Sequence, residues 1–265
     1  MGIPQDFVEP QRYCDSVTNG AEARDGNHTP AAKKDRFTSK AHALARFLAQ
    51  RGLLKPVAWS VVKVTVVGAK ELKSVKRPFI VVANHSSHLD APLILGALPR
   101  RLARYLAAGA AADYFFDVWW RRGLTALFFN AFPVDRSGAN PRSVNAKSLL
   151  KRGVPLLVFP EGTRSKDYRK LGTFKPGAAA LSAATGAPCL PIALVGAGRA
   201  HPRGSNWPKR GRLPVGVVFG APMYARENEP AAEFMARVKA EIERFLAEHS
   251  DRILGSETPP EGERP

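Results

Sequence analysis

From about residue 64 onward, short β-branched and aliphatic runs alternate with segments of helical periodicity, and nothing else in the chain limits its fold as strongly. Strands are expected at Val64–Val67, Phe79–Ala83, Arg104–Ala108, Leu156–Phe159, Leu190–Val195 and Val215–Phe219. Helices are expected at Asp90–Leu98, Asp113–Phe128, Pro141–Lys151, Gly177–Thr185 and Pro230–His249. The last is the clearest, because Phe234, Val238, Ile242, Phe245 and Leu246 form one apolar stripe with charges opposite. This order predicts an α/β domain, a central mixed β-sheet flanked by helices, and no internal repeat is visible.

The alternation divides the chain into four parts. Residues 1–36 are polar and aperiodic and read as a disordered tail; residues 64–250 form the α/β domain; residues 251–265 read as a second loose end. Between tail and domain, residues 37–63 read as an amphipathic two-helix element interrupted near Gly52 or Pro56. Leu44, Phe47 and Leu48, then Leu54, Val57, Ala58 and Val61, follow a helical stripe. No acidic residue occurs between Phe37 and Lys70, whereas Lys40, Arg46, Arg51, Lys55 and Lys63 supply positive charge. Two compatible readings follow: a hairpin packed on the domain, or an interfacial anchor with its apolar face in a bilayer and its basic residues among anionic headgroups. Trp59 suits an interface.

Charge points the same way. The formal net charge is +17, from 40 basic and 23 acidic residues. Setting aside residues 1–36 and 251–265 leaves 33 basic and 13 acidic side chains in residues 37–250, so the +20 excess belongs to the body. Such a surface attracts polyanions: nucleic acid, anionic lipid or phosphorylated substrates. The longest uncharged run, Gly177 to Gly198, carries Gly186, Pro188 and Pro191 in its middle, so it reads as helix, turn and buried strand rather than a membrane span. The N-terminus has no apolar run that would read as a signal peptide, and Asp6 stands where a myristoylation signal needs Ser or Thr. Two cysteines, Cys14 and Cys189, exclude a disulfide framework and suit a reducing cytosol.

Two short segments concentrate reactive side chains, each directly after an apolar strand, where rigid elements hold a loop. The first is Asn84-His85-Ser86-Ser87-His88-Leu89-Asp90. His85 is a proton acceptor suited to neutral pH, and Asp90, in the first helical turn, can take a hydrogen bond from the far ring nitrogen and fix the tautomer. Alone, this spacing equally describes a helix-start aspartate beside a surface histidine, and His88 reads as a bystander. The second is Phe159-Pro160-Glu161-Gly162-Thr163-Arg164-Ser165. Gly162 permits a tight turn, Arg164 can fork two hydrogen bonds onto a phosphate, and Glu161 reads as orienting the arginine or receiving a substrate hydroxyl. Arg136, in Phe132-Pro133-Val134-Asp135-Arg136, and Lys175, in Thr173-Phe174-Lys175-Pro176-Gly177, are further basic residues near element ends.

Taken together, NHSSHLD, FPVDR, FPEGTRS and CLPIALVG, in this order and spacing over roughly residues 60–225, resemble the 1-acylglycerol-3-phosphate acyltransferase family within the glycerolipid acyltransferase superfamily. The resemblance implies that His85 is the general base on the acceptor hydroxyl and Asp90 its orienting partner, with direct attack on the thioester and no acyl-enzyme. It implies that Arg136 and Arg164, with Glu161, Gly162 and Thr163, hold a glycerol phosphate, assisted by Lys175. It further implies an acyl thioester donor, either acyl-CoA or acyl-carrier protein, a lysophospholipid acceptor, and no cofactor or metal. The product would be phosphatidate, made by a peripheral or monotopic protein on the cytoplasmic face of the cell membrane. Glycerol-3-phosphate or another lysolipid is the alternative acceptor.

Other classes fit less well. A serine hydrolase would need a G-x-S-x-G elbow, which is absent. Gly196-Ala197-Gly198 begins a dinucleotide-binding fingerprint, but His201 occupies the third glycine position. Arg199, Arg203, Lys209, Arg210 and Arg212 would suit a basic nucleic-acid binder, yet no helix-turn-helix, zinc or ribonucleoprotein motif accompanies them, so no nucleic-acid partner is expected.

Overall fold

A computed structural model describes residues 35–111, 123, 126–134 and 146–255. In chain order it contains α1 (Lys40–Ala49), a wide π-turn (Gln50–Leu54), α2 (Lys55–Val61), β1 (Lys63–Val67), a 3₁₀ turn (Ala69–Lys73), β2 (Ile80–Ala83), α3 (Asp90–Ala97), α4 (Arg100–Ala103), β3 (Ala107–Ala111), β4 (Phe132–Val134), α5 (Ala146–Lys151), β5 (Leu156–Val158), α6 (Gly177–Thr185), β6 (Cys189–Val195), α7 (Ala197–Ala200), β7 (Pro214–Phe219) and α8 (Ala231–Leu254). The strands form one seven-stranded sheet in the order β1-β7-β6-β2-β5-β3-β4. Every pairing is parallel except β6 with β7, so the sheet is mixed, as expected.

Central strands are apolar on both faces because helices cover both. Along β2, Ile80 and Val82 join a cluster with Phe234, Met235, Val238 and Ile242 of α8, whereas Val81 and Ala83 join one with Leu93, Ile94 and Leu98 at α3. Strand β6 divides likewise, Ala193 and Val195 to the first layer, Ile192 and Leu194 to the second. The uncharged run Gly177 to Gly198 resolves into α6, a left-handed turn at Gly186 and buried β6.

Several boundaries differ from expectation. Strand β3 begins at Ala107, not Arg104, because Pro99 starts the short helix α4 and Arg104 closes it, its amide donating to the Arg100 carbonyl. Helix α8 continues to Leu254, past the expected end at His249, because Ile253 is buried in the first layer. Strand β4 was not anticipated as a strand. Most of the helix expected at Asp113–Phe128 lies outside the described residues, though residues 126–129 are helical.

The N-terminal element departs most. Backbone runs without a break through Gly52 and Pro56, because at the π-turn the Lys55 amide reaches the Gln50 carbonyl, five residues back, and Pro56 then needs no donor. Only part of the expected apolar stripe packs inward: Ala58 is buried, and Leu54 and Val61 lie against the second layer. Leu44, Leu48, Leu53 and Val57 are 50, 59, 56 and 53% exposed, whereas Arg46 and Gln50 are buried. The extra residue in the π-turn keeps Leu53 and Val57 in phase with Leu44 and Leu48. The inward polar groups find carbonyls: Arg46 donates to Arg104 O at 2.9 Å and to Asn130 Oδ1 at 2.8 Å, Gln50 to Phe128 O at 2.7 Å. Arg51 donates to Gly96 O and Leu98 O at the carboxyl end of α3, where a helix dipole favours a cation. Trp59, which suited an interface, lies over Gly96, where an added Cβ would sit 2.4 Å from its ring.

Topology then places this element. β1 is parallel to β7, β7 antiparallel to β6, and β6 parallel to β2. So α2 delivers the chain to Lys63 at the sheet end where β2 and β5 finish.

Candidate active site

Both motif segments leave the sheet at that end, β2 running into Asn84-His85 and β5 into Phe159-Pro160-Glu161. Asn84 closes the strand end: buried, it donates to Leu194 O at 3.0 Å and accepts from Leu194 N at 2.8 Å, replacing two ladder bonds where β2 leaves β6. The chain then turns so that His85 Nδ1 lies 2.8 Å from Asp90 Oδ2. That same oxygen accepts from the backbone amides of Ser86 at 2.7 Å and Ser87 at 2.8 Å. Asp90 is fully buried in the first turn of α3, where the helix dipole favours a carboxylate.

Three donors on one oxygen decide the tautomer. An acceptor already held by two amides takes a proton from Nδ1, which leaves Nε2 with its lone pair free. Nε2 has no hydrogen-bond partner among the described residues, and the His85 side chain is 22% exposed, so a ligand can reach it. Phe159 supports the ring from below, its centroid 4.1 Å away and the planes 17° apart.

The second motif is braced to the first through the backbone of His85. Glu161 Oε1 accepts from His85 N at 2.8 Å, and Ser165 N donates to His85 O at 2.7 Å. Glu161 Oε2 accepts from Gly172 N at 3.1 Å. Both carboxylate oxygens are therefore bound to amides, and among the described residues no hydrogen bond or ion pair joins the glutamate to Arg164, which it was expected to orient. Burial raises its pKa, opposed by these two amide bonds. Gly162, at φ +72, forms the turn, its amide donating to Phe159 O at 3.0 Å.

Arg164 is half-buried, and among the described residues its guanidinium has no hydrogen-bond or ion-pair partner. Its carbonyl accepts from Arg203 Nη1 at 2.9 Å. Lys175 is exposed, but its Nζ would lie 3.4 Å from a Cβ placed on Gly162, so its ammonium is at the same turn. Thr163 is exposed beside it. Arg136 lies outside the described residues.

His88 is no bystander in space. It is exposed, but its ring lies 5.8 Å from that of His201, and partial desolvation followed by the Arg164 charge lowers its pKa. Asn84, Phe159 and the Ser165 amide went unassigned from sequence, since nothing in their residue type signals these contacts. Among the described residues no three His, Cys, Asp or Glu side chains gather as a metal site. What the site presents is a held imidazole with one free nitrogen and, across a braced turn, an unpaired guanidinium.

Comparison with known proteins bears on this arrangement. Residues 63–195 match the acyltransferase family model, half of the chain and both motif segments. The chloroplastic 1-acyl-sn-glycerol-3-phosphate acyltransferase of Brassica napus is 34% identical over 149 residues, covering 54% of this chain and 40% of that protein. The 1-acyl-sn-glycerol-3-phosphate acyltransferase of Pseudomonas aeruginosa is 38% identical over 107 residues, 38% of each chain. These alignments span about two fifths of the curated relatives' length. Among solved structures, the 1-acyl-sn-glycerophosphate acyltransferase PlsC of Thermotoga maritima superposes with a TM-score of 0.60 at 27% identity, over 80% of this chain and 85% of that one.

Proposed function

Because the chain belongs to the acyltransferase family, we propose that it moves a fatty acyl group from a thioester to the free hydroxyl of 1-acylglycerol-3-phosphate, forming phosphatidate. The observation that carries this reading is the pairing of His85, its Nε2 free and its Nδ1 held by Asp90, with the unpaired Arg164 guanidinium. Nε2 takes the proton from the acceptor hydroxyl as the oxygen attacks the thioester carbonyl. When the tetrahedral adduct collapses, the C–S bond breaks and the imidazolium returns its proton to the leaving thiolate. Asp90 stabilises that transient imidazolium. Positioned general-base catalysis of this kind contributes about 10²–10⁴-fold. Arg164 takes the acceptor phosphate with a bidentate fork, assisted by Lys175 and by Arg136. The donor is acyl-CoA or acyl-carrier protein; both present the same thioester.

The reading extends to where the protein works. No helix among the described residues is long and apolar enough to cross a membrane. The outward stripe Leu44, Leu48, Leu53 and Val57 offers an apolar face instead, on an element rich in basic residues, and α2 ends at the catalytic end of the sheet. A peripheral or monotopic association with the cytoplasmic face of the membrane follows, the stripe in the acyl region and the lysines and arginines among anionic headgroups.

The test is thiol release by the purified full chain with a panel of acceptors and both donor types. Lysophosphatidate should be preferred over glycerol-3-phosphate and uncharged lysolipids, and His85→Ala should abolish turnover while retaining the wild-type circular dichroism spectrum. A folded His85→Ala protein with near-wild-type turnover would refute the mechanism. Leu44→Glu with Leu48→Glu should release the protein from vesicles; full sedimentation of that variant would place the anchor elsewhere, with the Tyr114–Trp120 cluster, outside the described residues, the next segment to vary.

A further inference from the structure

At the other end of the sheet from His85, the segments entering β2 and β3 enclose an open cavity of about 490 Å³. Its lining is Val75, Lys76, Arg77, Arg100, Arg101, Leu102 and Arg104, five cations and no acid. Sequence makes the imbalance deep. No Asp or Glu occurs between Glu71 and Asp90, nor between Asp90 and Asp113. Among the described residues none of the five is in an ion pair, and Glu71, the nearest carboxylate along the chain, pairs with none of them.

The five are not equivalent. Arg101 is structural: it donates to Val75 O at 2.7 Å and also to Leu72 O, pinning the segment before β2 to α4. Arg77 and Arg104 lie over the same buried Tyr105 ring, their guanidinium carbons 4.2 and 4.7 Å from its centroid. Arg100 lies over Phe47 of α1 at 4.6 Å. A guanidinium held over a ring face is restrained in position while N–H donors stay available to a phosphate. Like charges crowded without a counter-ion repel one another, and a bound anion relieves that repulsion while accepting the donors.

We propose that this cavity is a phosphate-binding site, separate from the catalytic centre and specific for a ligand of headgroup size bearing a phosphate mono- or diester. The volume falls within the range of small-ligand sites. The phosphate is carried either by an anionic phospholipid or by a soluble phosphorylated molecule. Phe47 belongs to the helix that carries the outward Leu44 and Leu48, and Arg46 of the same helix holds the Arg104 carbonyl, so the cavity rim is built against that element.

The experiment uses the full chain, with Arg77→Gln combined with Arg100→Gln, and Lys209→Gln combined with Arg210→Gln as a control of equal charge change. The first arm is thermal shift against inorganic pyrophosphate; the second is sedimentation with phosphatidylglycerol or phosphatidylcholine vesicles. Wild type should show a saturable rise in Tm with pyrophosphate, and the Arg77/Arg100 variant should bind it about tenfold or more weakly while the control is unchanged. A parallel loss on phosphatidylglycerol but not phosphatidylcholine vesicles assigns the phosphate to lipid; loss confined to pyrophosphate assigns it to a soluble ligand. The proposal is overturned if wild type shows no pyrophosphate response, or if the two variants behave alike in both arms. Acyl transfer in detergent should be unchanged in the Arg77/Arg100 variant, so failure of this site and failure of the catalytic reading are told apart.

Discussion

Replacing Asp90 by Asn tests the reasoning about the imidazole most sharply, because the surroundings dictate which way the amide must face. Ser86 N and Ser87 N are fixed donors at 2.7 and 2.8 Å from Oδ2, so the amide oxygen, not its nitrogen, has to occupy that position. His85 therefore still donates from Nδ1, and the tautomer with a free Nε2 survives. Where an amide is free to turn and reverse the tautomer, the same change in a serine-protease triad costs about 10⁴-fold in kcat. Here the three hydrogen bonds persist and the carboxylate charge facing the imidazolium is lost, about 1.5–3 kcal/mol for that contact, which is about a 10- to 150-fold fall in kcat/KM. The amide nitrogen takes the place of Asp90 Oδ1, which is buried without a partner, so stability should also drop by about 1–3 kcal/mol. The assay is thiol release with lysophosphatidate for Asp90→Asn, His85→Ala and the double variant, with thermal denaturation of each. A loss for Asp90→Asn as deep as that of His85→Ala would show that the amide has turned and would refute this account.

Arg164→Ala should raise KM for a phosphorylated acceptor by the equivalent of about 1.5–3 kcal/mol, and Arg164→Lys should recover only part, since an ammonium cannot make the planar fork. A change confined to the KM of the thioester donor would remove Arg164 from the acceptor site. Arg46→Met should destabilise the protein by about 2–4 kcal/mol in urea denaturation, because Arg104 O and Asn130 Oδ1 lose a charged donor in the interior. The guanidinium itself is held at a cost, burial having lowered its pKa to about 10, so a variant as stable as wild type would mean the desolvation cost outweighs both bonds.

Much of the fold was legible because hydrophobic periodicity reports burial directly, and β2, β6 and β7 are strands of a doubly covered sheet. Strand β4 was not, since three residues with Pro133 at their centre carry no alternation. Periodicity also cannot say which way a stripe faces. The apolar positions of residues 37–63 were legible, but the outward direction of Leu44, Leu48 and Val57 depends on Arg104, Phe128 and Asn130, distant in sequence, holding the polar face of Arg46 and Gln50. In the site, the short-range pair His85 and Asp90 could be anticipated from a spacing of five residues. The work of Glu161 could not, because its partners are backbone amides at residues 85 and 172, which any residue type would offer.

Glu161 nevertheless connects the two halves of the chemistry. The acceptor in the proposed reaction carries its phosphate and its nucleophilic hydroxyl on one short glycerol frame, so the guanidinium and the imidazole must stay a fixed distance apart. Two bonds set that distance, Glu161 Oε1 to His85 N and His85 O to Ser165 N, and both pass through the backbone of the base itself. A displacement of about 1 Å in such a pair can cost about 10²-fold. Glu161→Gln keeps an oxygen for one amide but turns an NH₂ against the other, so kcat/KM should fall by about 10- to 100-fold. The pH dependence separates this from a general loss of fold. Burial raises the Glu161 pKa above its ordinary 4.5, so folding favours the protonated form. Its stabilising contribution is thus complete below pH 4.5 and is lost as pH rises through the folded value. Activity runs the other way, because protonation puts an O–H against one of the two amides and opens the brace. As pH falls through that window, wild type should lose turnover beyond the loss any imidazole base shows in acid while this group adds stability, and Glu161→Gln, neutral throughout, should show neither additional trend. Wild-type turnover in Glu161→Gln, or an acid limb identical in the two proteins, would mean that the brace does not set the spacing.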